Sequence, residues 1–183
     1  LLDQVQSLPE DVIDVLARHQ YDLSLDGLLS LGEAAASSLV SHRQTVYLNG
    51  LTDLELPVAK ILAQRSGPIV MGGIMAISDE VAQVLADTEA LLQLGLSDAG
   101  TSPGHMALLT KLAAQENDLT LDGLSSLTPR AAEILATHKT GKLSLNGMTT
   151  LSPELAAVLA QHEGETLGLD GLEELSVETA IAL

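Results

Sequence analysis

Along residues 143–162 the apolar positions change their spacing partway. Leu143 and Leu145 flank polar Ser144, the alternation of a short strand with one buried face. Past Met148 and Leu151 the interval lengthens, and Leu155, Val158, Leu159 and His162 fall at i, i+3, i+4 and i+7, one stripe of a helix. The same switch predicts helical stripes at Val12, Val15, Leu16, His19 and at Val81, Val84, Leu85, Thr88. Ser152 and Thr128 read as N-caps with Pro153 and Pro129 at the first helical position, and Glu80, Glu154 and Glu178 suit the positive first turn. Between strand and helix stand Asp26-Gly27, Asn49-Gly50, Asp122-Gly123, Asn146-Gly147 and Asp170-Gly171. Such pairs tolerate positive φ, and their Asp or Asn is expected to close its own turn through the side chain.

This strand, turn and helix recur. The frame LxLxGLxxL returns at Leu23, Val46, Ile69, Leu92, Leu119, Leu143 and Leu167, in steps of 23, 23, 23, 27, 24 and 24 residues. An earlier partial copy, LDQVQSLPEDVIDVLARH from Leu2 to His19, aligns with LDGLLSLGEAAASSLVSH from Leu25 to His42. Residues 1–183 thus read as a single domain of about eight units of 23–24 residues, the first and last incomplete, with an irregular unit at 92–118. A strand of roughly three or four residues and a helix of roughly ten cannot bury their own apolar edges, so successive units must stack and leave a parallel sheet. Strands sit about 4.8 Å apart whereas helices need about 8 to 10 Å, so the stack is expected to curve with its strands inside. The fold class is α/β, a right-handed β/α solenoid with the sheet on the concave face and short helices on the convex face.

These residues resemble the leucine-rich repeat family, with its LxxLxLxxN/CxL pattern. LSLNGMTTLSPELAAVLAQH is most similar to the cysteine-containing class of that family, which reads roughly LxLxxCxxITDxxLxxLAxx. The Cys or Asn slot holds Leu28, Leu51, Ile74, Leu124, Met148 and Leu172 instead, so no buried polar ladder is expected along the turn. The resemblance implies a protein-binding module.

Composition narrows the chemistry. Apolar residues make up 46% of the chain, yet Tyr21 and Tyr47 are its only aromatics, so the core is aliphatic, as a thin repeated core allows. With 25 acidic and eight basic residues the formal charge is −17, which repels phosphate backbones and excludes nucleic acid as a partner. No apolar run reaches the roughly 18 residues of a membrane span, so no membrane insertion is expected, and LLDQVQSLPEDV lacks the basic region of a signal peptide. Without Cys there is no disulfide and no thiolate chemistry, and the compartment stays open.

His19, His42, His138 and His162 share a repeat position with Arg65, Thr88 and Gln115. Arg does not ligate metal, whereas every one of these side chains donates a hydrogen bond, so the position reads as a donor for orphan carbonyls at a helix C-terminus. No metal site and no cofactor are expected. Ser24, Tyr47, Val70, Gln93, Thr120, Ser144 and Gly168 alternate with buried leucines and so face outward from the strands. With Asp26, Asn49, Asp122, Asn146 and Asp170, all but Gly168 form the candidate binding face for a protein of neutral or basic surface, Tyr47 being the candidate hot spot. The fifth unit departs from the frame: Gly95, Gly100, Pro103 and Gly104 are expected to keep residues 95–105 irregular, and Asp98, Thr101 and His105 are candidate loop contacts. No GxSxG, GxxxxGK[ST] or HExxH stands in the chain, so it reads as a non-catalytic binding module, with a surface or stalk-like repeat array as the alternative.

Overall fold

The structure, a computed structural model, describes residues 4–183. Helices and parallel strands alternate along two compact units, one ending at Leu94 and the other beginning at Gly95. The first contains α1 (Glu10–Leu16), β1 (Leu23–Ser24), α2 (Glu33–Leu39), β2 (Val46–Tyr47), α3 (Leu56–Leu62), β3 (Ile69–Met71), α4 (Asp79–Ala86) and β4 (Leu92–Leu94). The second contains α5 (Pro103–Ala113), β5 (Leu119–Thr120), α6 (Pro129–Ala136), β6 (Lys142–Ser144), α7 (Pro153–Leu159), β7 (Thr166–Gly168) and α8 (Val177–Ala182).

All seven strands fall where the frame placed them, and their register is the repeat interval. Leu23 pairs with Val46, Val46 with Ile69 and Ile69 with Leu92; in the second unit Leu119 pairs with Leu143 and Leu143 with Leu167. The strands form two parallel sheets rather than the one expected, β1-β2-β3-β4 and β5-β6-β7. The division falls in the irregular unit, on the 27-residue step.

Inner coils bury three apolar side chains from strand and turn, such as Val46, Leu48 and Leu51 or Leu143, Leu145 and Met148, all at most 1% exposed, whereas Leu167, Leu169 and Leu172 of the last coil are half-buried. Its helix adds a small-then-large pair three residues apart: Ala36 and Leu39, Ala59 and Leu62, Ala82 and Leu85, Ala132 and Leu135, Ala156 and Leu159. Ala on the buried face lets neighbouring helices approach closely, which suits strands spaced at about 4.8 Å. The first helix corrects the predicted stripe. Ile13 of α1 and its C-cap residue Ala17 are buried, while Val12 and Val15 are 37% and 67% exposed. Residues aligned with Val12, namely Ala35, Val58 and Val81, are covered by the coil before them, and no described helix precedes α1. The last coil shows the reverse edge: Leu175 and Leu183 are open, although the aligned Leu151 and Leu159 are buried.

Apart from α5 with 11 residues, the helices have six to eight, shorter than the expected ten. Their last turns tighten to i→i−3 bonds, as in His19 N–H to Leu16 O, so the chain turns back toward the next strand early. The starts are as expected: Ser152 and Thr128 accept from Leu155 N and Ala131 N, and Pro153 and Pro129 open their helices. In the fifth unit the expected irregularity stops short, because Pro103 and Gly104 lie inside the first turn of α5. Proline is well placed there, where its missing N–H has no intrahelical partner.

The turn glycines serve a different purpose from the one expected. Among the described residues positive φ occurs only at Gly100 and Gly141, and none of the Asx-Gly pairs uses it. What they require is room: a Cβ on Gly147 would sit 2.8 Å from the Leu124 carbonyl oxygen and closer still to that of Asp122, one coil back. Gly50 meets the same obstacle at Leu28 and Asp26. Gly147→Ala is therefore expected to destabilise the second unit by roughly 1–3 kcal/mol, since backbone must move. Gly32→Ser, at an N-cap with nothing within 4 Å of the new side chain and no cap bond at present, is expected to add a few tenths of a kcal/mol. Urea melts of the two variants check both signs.

Candidate functional site

Strand pairing brings the predicted outward residues side by side. In the first unit Ser24 lies beside Tyr47, Tyr47 beside Val70, and Val70 beside Gln93. Gln93 is exposed and the other three are half-buried. In the second unit Thr120 lies beside Ser144 and Ser144 beside Gly168. Ser144 and Gly168 are corrections, for both are buried. Lys142 accounts for this, because its stem crosses the strand face: a Cβ on Gly168 would lie 2.9 Å from Lys142 Cε and 3.3 Å from Ser144 Oγ. Ser144 Oγ donates to Asp122 Oδ1 at 2.6 Å, so this hydroxyl serves the fold.

Four of the five Asx residues also correct the expectation, since Asp26, Asn49, Asp122 and Asn146 each span to the following coil instead of closing their own turns. Asp26 Oδ1 accepts the Asn49 amide at 2.8 Å and Asn49 Oδ1 accepts that of Gly72 at 2.8 Å. In the second unit Asp122 accepts from Asn146 N and Asn146 from Asp170 N, both at 2.9 Å. A second rung at the strand entrance was missed in the sequence: Asp22 Oδ1 accepts Thr45 N at 3.0 Å and Asp118 Oδ1 accepts Lys142 N at 2.9 Å. The ladder along the turn is exposed to half-buried and stands two positions toward the strand from the apolar residues of the Cys or Asn slot, so it is not the buried ladder those residues exclude. An acidic or amide residue at 22 and 118, just before the strand, was the available signal.

On the helix side the shared donor position behaves as expected, with its acceptor one coil back. His42 Nδ1 lies 3.0 Å from Ala17 O, Thr88 Oγ1 donates to Ala63 O at 2.9 Å, and His138 Nδ1 lies 3.0 Å from Ala113 O. A carbonyl only accepts, so Nδ1 carries the proton in both histidines. Arg65 is the charged member: buried, it donates through Nη1 to Leu39 O and through Nη2 to Gln44 O at 3.1 Å. Leu39 ends α2, so the guanidinium sits at the negative end of that helix. Burial lowers its pKa to about 10, which leaves it charged at neutral pH. His19 is exposed and tilts against Tyr21 at a ring separation of 5.3 Å, while His162 stacks on His138 at 6.0 Å. The Nε2 atoms of His42, His138 and His162 are buried with no hydrogen-bond partner.

In the irregular unit Asp98 and Thr101 are exposed, and Asp98 Oδ1 accepts the Gly100 amide at 2.8 Å. His105 is half-buried, with Nδ1 2.7 Å from Ser102 Oγ. This i, i+3 contact spans the first turn of α5, where Ser102 is the N-cap residue but does not cap through its side chain. No group of three or more metal-ligating side chains converges among the described residues. No helix among them is long and apolar enough to cross a membrane. Compared with known proteins, the chain matches no family model and no curated protein.

The buried histidine edge has a consequence for pH. Desolvation, then the nearby charge of His138, pushes the His162 pKa below its ordinary 6.5. Below about 6.5 the unfolded chain takes up a proton that folded His162 resists, so stability is lost as pH falls through that value. The urea midpoint is expected to drop between pH 7.5 and pH 6.0, a window above the carboxylate range, and His162→Gln is expected to shrink the drop. An undiminished drop in that variant contradicts the assignment.

Proposed function

We propose that the two units are stretches of a leucine-rich repeat solenoid whose concave sheet face binds a protein without catalysis. The observation that carries the reading is the register: residues 23 apart in sequence stand abreast, so Ser24, Tyr47, Val70 and Gln93 make one row held by backbone pairing. A row of hydroxyl, phenol, aliphatic and amide groups offers contact area at little ordering cost, since its backbone is already in place. Asp26 and Asn49 flank the row, each with one oxygen committed to the ladder, and the remaining carboxylate oxygen of Asp26 favours a neutral or basic partner surface. The second unit presents a face of its own in this reading, made by Thr120, Asp122, Asn146 and Asp170, with Lys142 in place of Ser144. Asp98, Thr101 and His105 are loop contacts in this reading, Asp98 and Thr101 the accessible ones.

The exposed apolar side chains of α1 and α8 favour a second reading, a structural repeat array. In that arrangement further repeats of the same pattern would cover Val12 and Val15 on one side and Leu175, Val177 and Ile181 on the other.

A photocrosslinking residue at Gln93 is expected to capture a partner that the same residue at Lys60, on helix α3, does not. Tyr47→Ala is expected to weaken that partner's binding by about tenfold, the effect of removing one aromatic anchor. Equal capture from Lys60 contradicts the sheet-face assignment.

A further inference from the structure

The chain is strongly acidic, but its few arginines are not scattered. Of four, Arg18, Arg43 and Arg65 stand in three successive helix-to-strand loops of the first unit, whereas the fourth loop carries Asp87 and Glu89. Between the first two loops, residues 17–20 and 41–44, opens a cavity of about 430 Å³ lined by Arg18, His19, Gln20, Ser41, Arg43 and Gln44, with buried His42 and Ala17 behind them. Arg18 and Arg43 are exposed, and Tyr21, at 72% exposure, rests against His19 of the cavity wall. The acids nearby are engaged: Asp14 pairs with Arg18 at 2.5 Å and Asp22 accepts the Thr45 amide. Arg43 has no ion pair among the described residues.

A helix C-terminus ordinarily repels an anion, and α1 and α2 both end at this edge. Here that negative end is already occupied. His42 takes the Ala17 carbonyl, and Arg65 takes those of Leu39 and Gln44, the last a residue of the cavity wall. Arg65 has no carboxylate partner among the described residues, so its charge adds to the field of this edge. The Arg18–Asp14 pair is solvent-exposed, and such pairs hold so weakly that a competing carboxylate exchanges in readily.

We propose that this cleft binds an acidic peptide segment of a protein partner, with Arg43 and Arg18 receiving its carboxylates and Tyr21 packing against the peptide. Guanidinium forks match carboxylates in bidentate geometry, and an exposed Tyr supplies apolar area with little entropy to lose. The surface lies apart from the sheet row and carries opposite charge, so its failure leaves the sheet-face reading intact.

Fluorescein-labelled hexaglutamate, followed by anisotropy at low salt, tests this. Saturable binding is expected, weakened about tenfold in Arg43→Gln and abolished in Arg18→Gln/Arg43→Gln at unchanged melting temperature, with Lys60→Gln behaving as the unaltered chain. Added salt is expected to weaken it steeply. The proposal is overturned by absence of saturable binding, by a double variant that binds like the unaltered chain, or by retention on phosphatidylserine vesicles without peptide binding, which points to a lipid surface.

Discussion

Parallel pairing between strands one repeat apart sets every other dimension of this protein. It holds consecutive coils at about 4.8 Å along each sheet, and whatever lies in the turns must fit that spacing. Glycine at 50, 73, 123, 147 and 171 is the price of it, since a Cβ at each would meet carbonyl oxygens of the coil before. The same closeness brings an Asp or Asn side chain within reach of the next coil's amide, and a His, Thr or Arg within reach of the previous helix's last carbonyls. Three rows of hydrogen bonds therefore run across the coils of each unit: strand pairing, the Asx ladder and the helix-end donors. Together they satisfy backbone groups that a strand of two or three residues leaves open.

Between these rows lies the aliphatic core, and its composition follows from the same spacing. Leu, Ile, Val and Met fill the strand side, and buried Ala recurs on the helices. Buried polar groups are admitted only where they bond to the neighbouring coil, as at Ser144, Thr88 and His138. The exceptions among the described residues are Nε2 of His42, His138 and His162 and Nε of Arg65, which are buried without a hydrogen-bond partner. Arg65 occupies the same position with its charge set against a helix end, and with Arg18 and Arg43 it makes one edge of the first unit cationic in a chain of net charge −17.

Much of the fold was legible because the strand frame and helix stripe repeat seven times, so a single misleading unit carried little weight. The strands at Leu23 through Leu167 and the caps at Thr128 and Ser152 followed from that redundancy. What the letters did not disclose were distances between coils. Asx-Gly is ambiguous between a turn needing positive φ and a contact needing no Cβ, and only the neighbouring carbonyl decides. The destination of each Asx side chain was hidden for the same reason. In α1 the stripe was misjudged because Val12 matches buried Ala35, Val58 and Val81, and Val15 matches half-buried Ile61 and Val84, but both lack a covering helix among the described residues. Of the candidate face, strand pairing sets Ser24, Tyr47, Val70 and Gln93 in one row and Thr120, Ser144 and Gly168 in another, but Ser144 and Gly168 are buried, and Lys142, two residues before Ser144 and on the same side of the strand, was overlooked as the side chain beside them.

Native-state hydrogen exchange at the Gly72, Asn146 and Asp170 amides tests the ladder most directly, because each is a loop amide whose acceptor is a side chain one coil earlier. Protection approaching that of the strand amides is expected at all three, with Asp122→Ala releasing Asn146 first while the β1–β4 strand amides keep theirs. Exchange of these amides at the rate of open loops, alongside protected strands, would contradict the account.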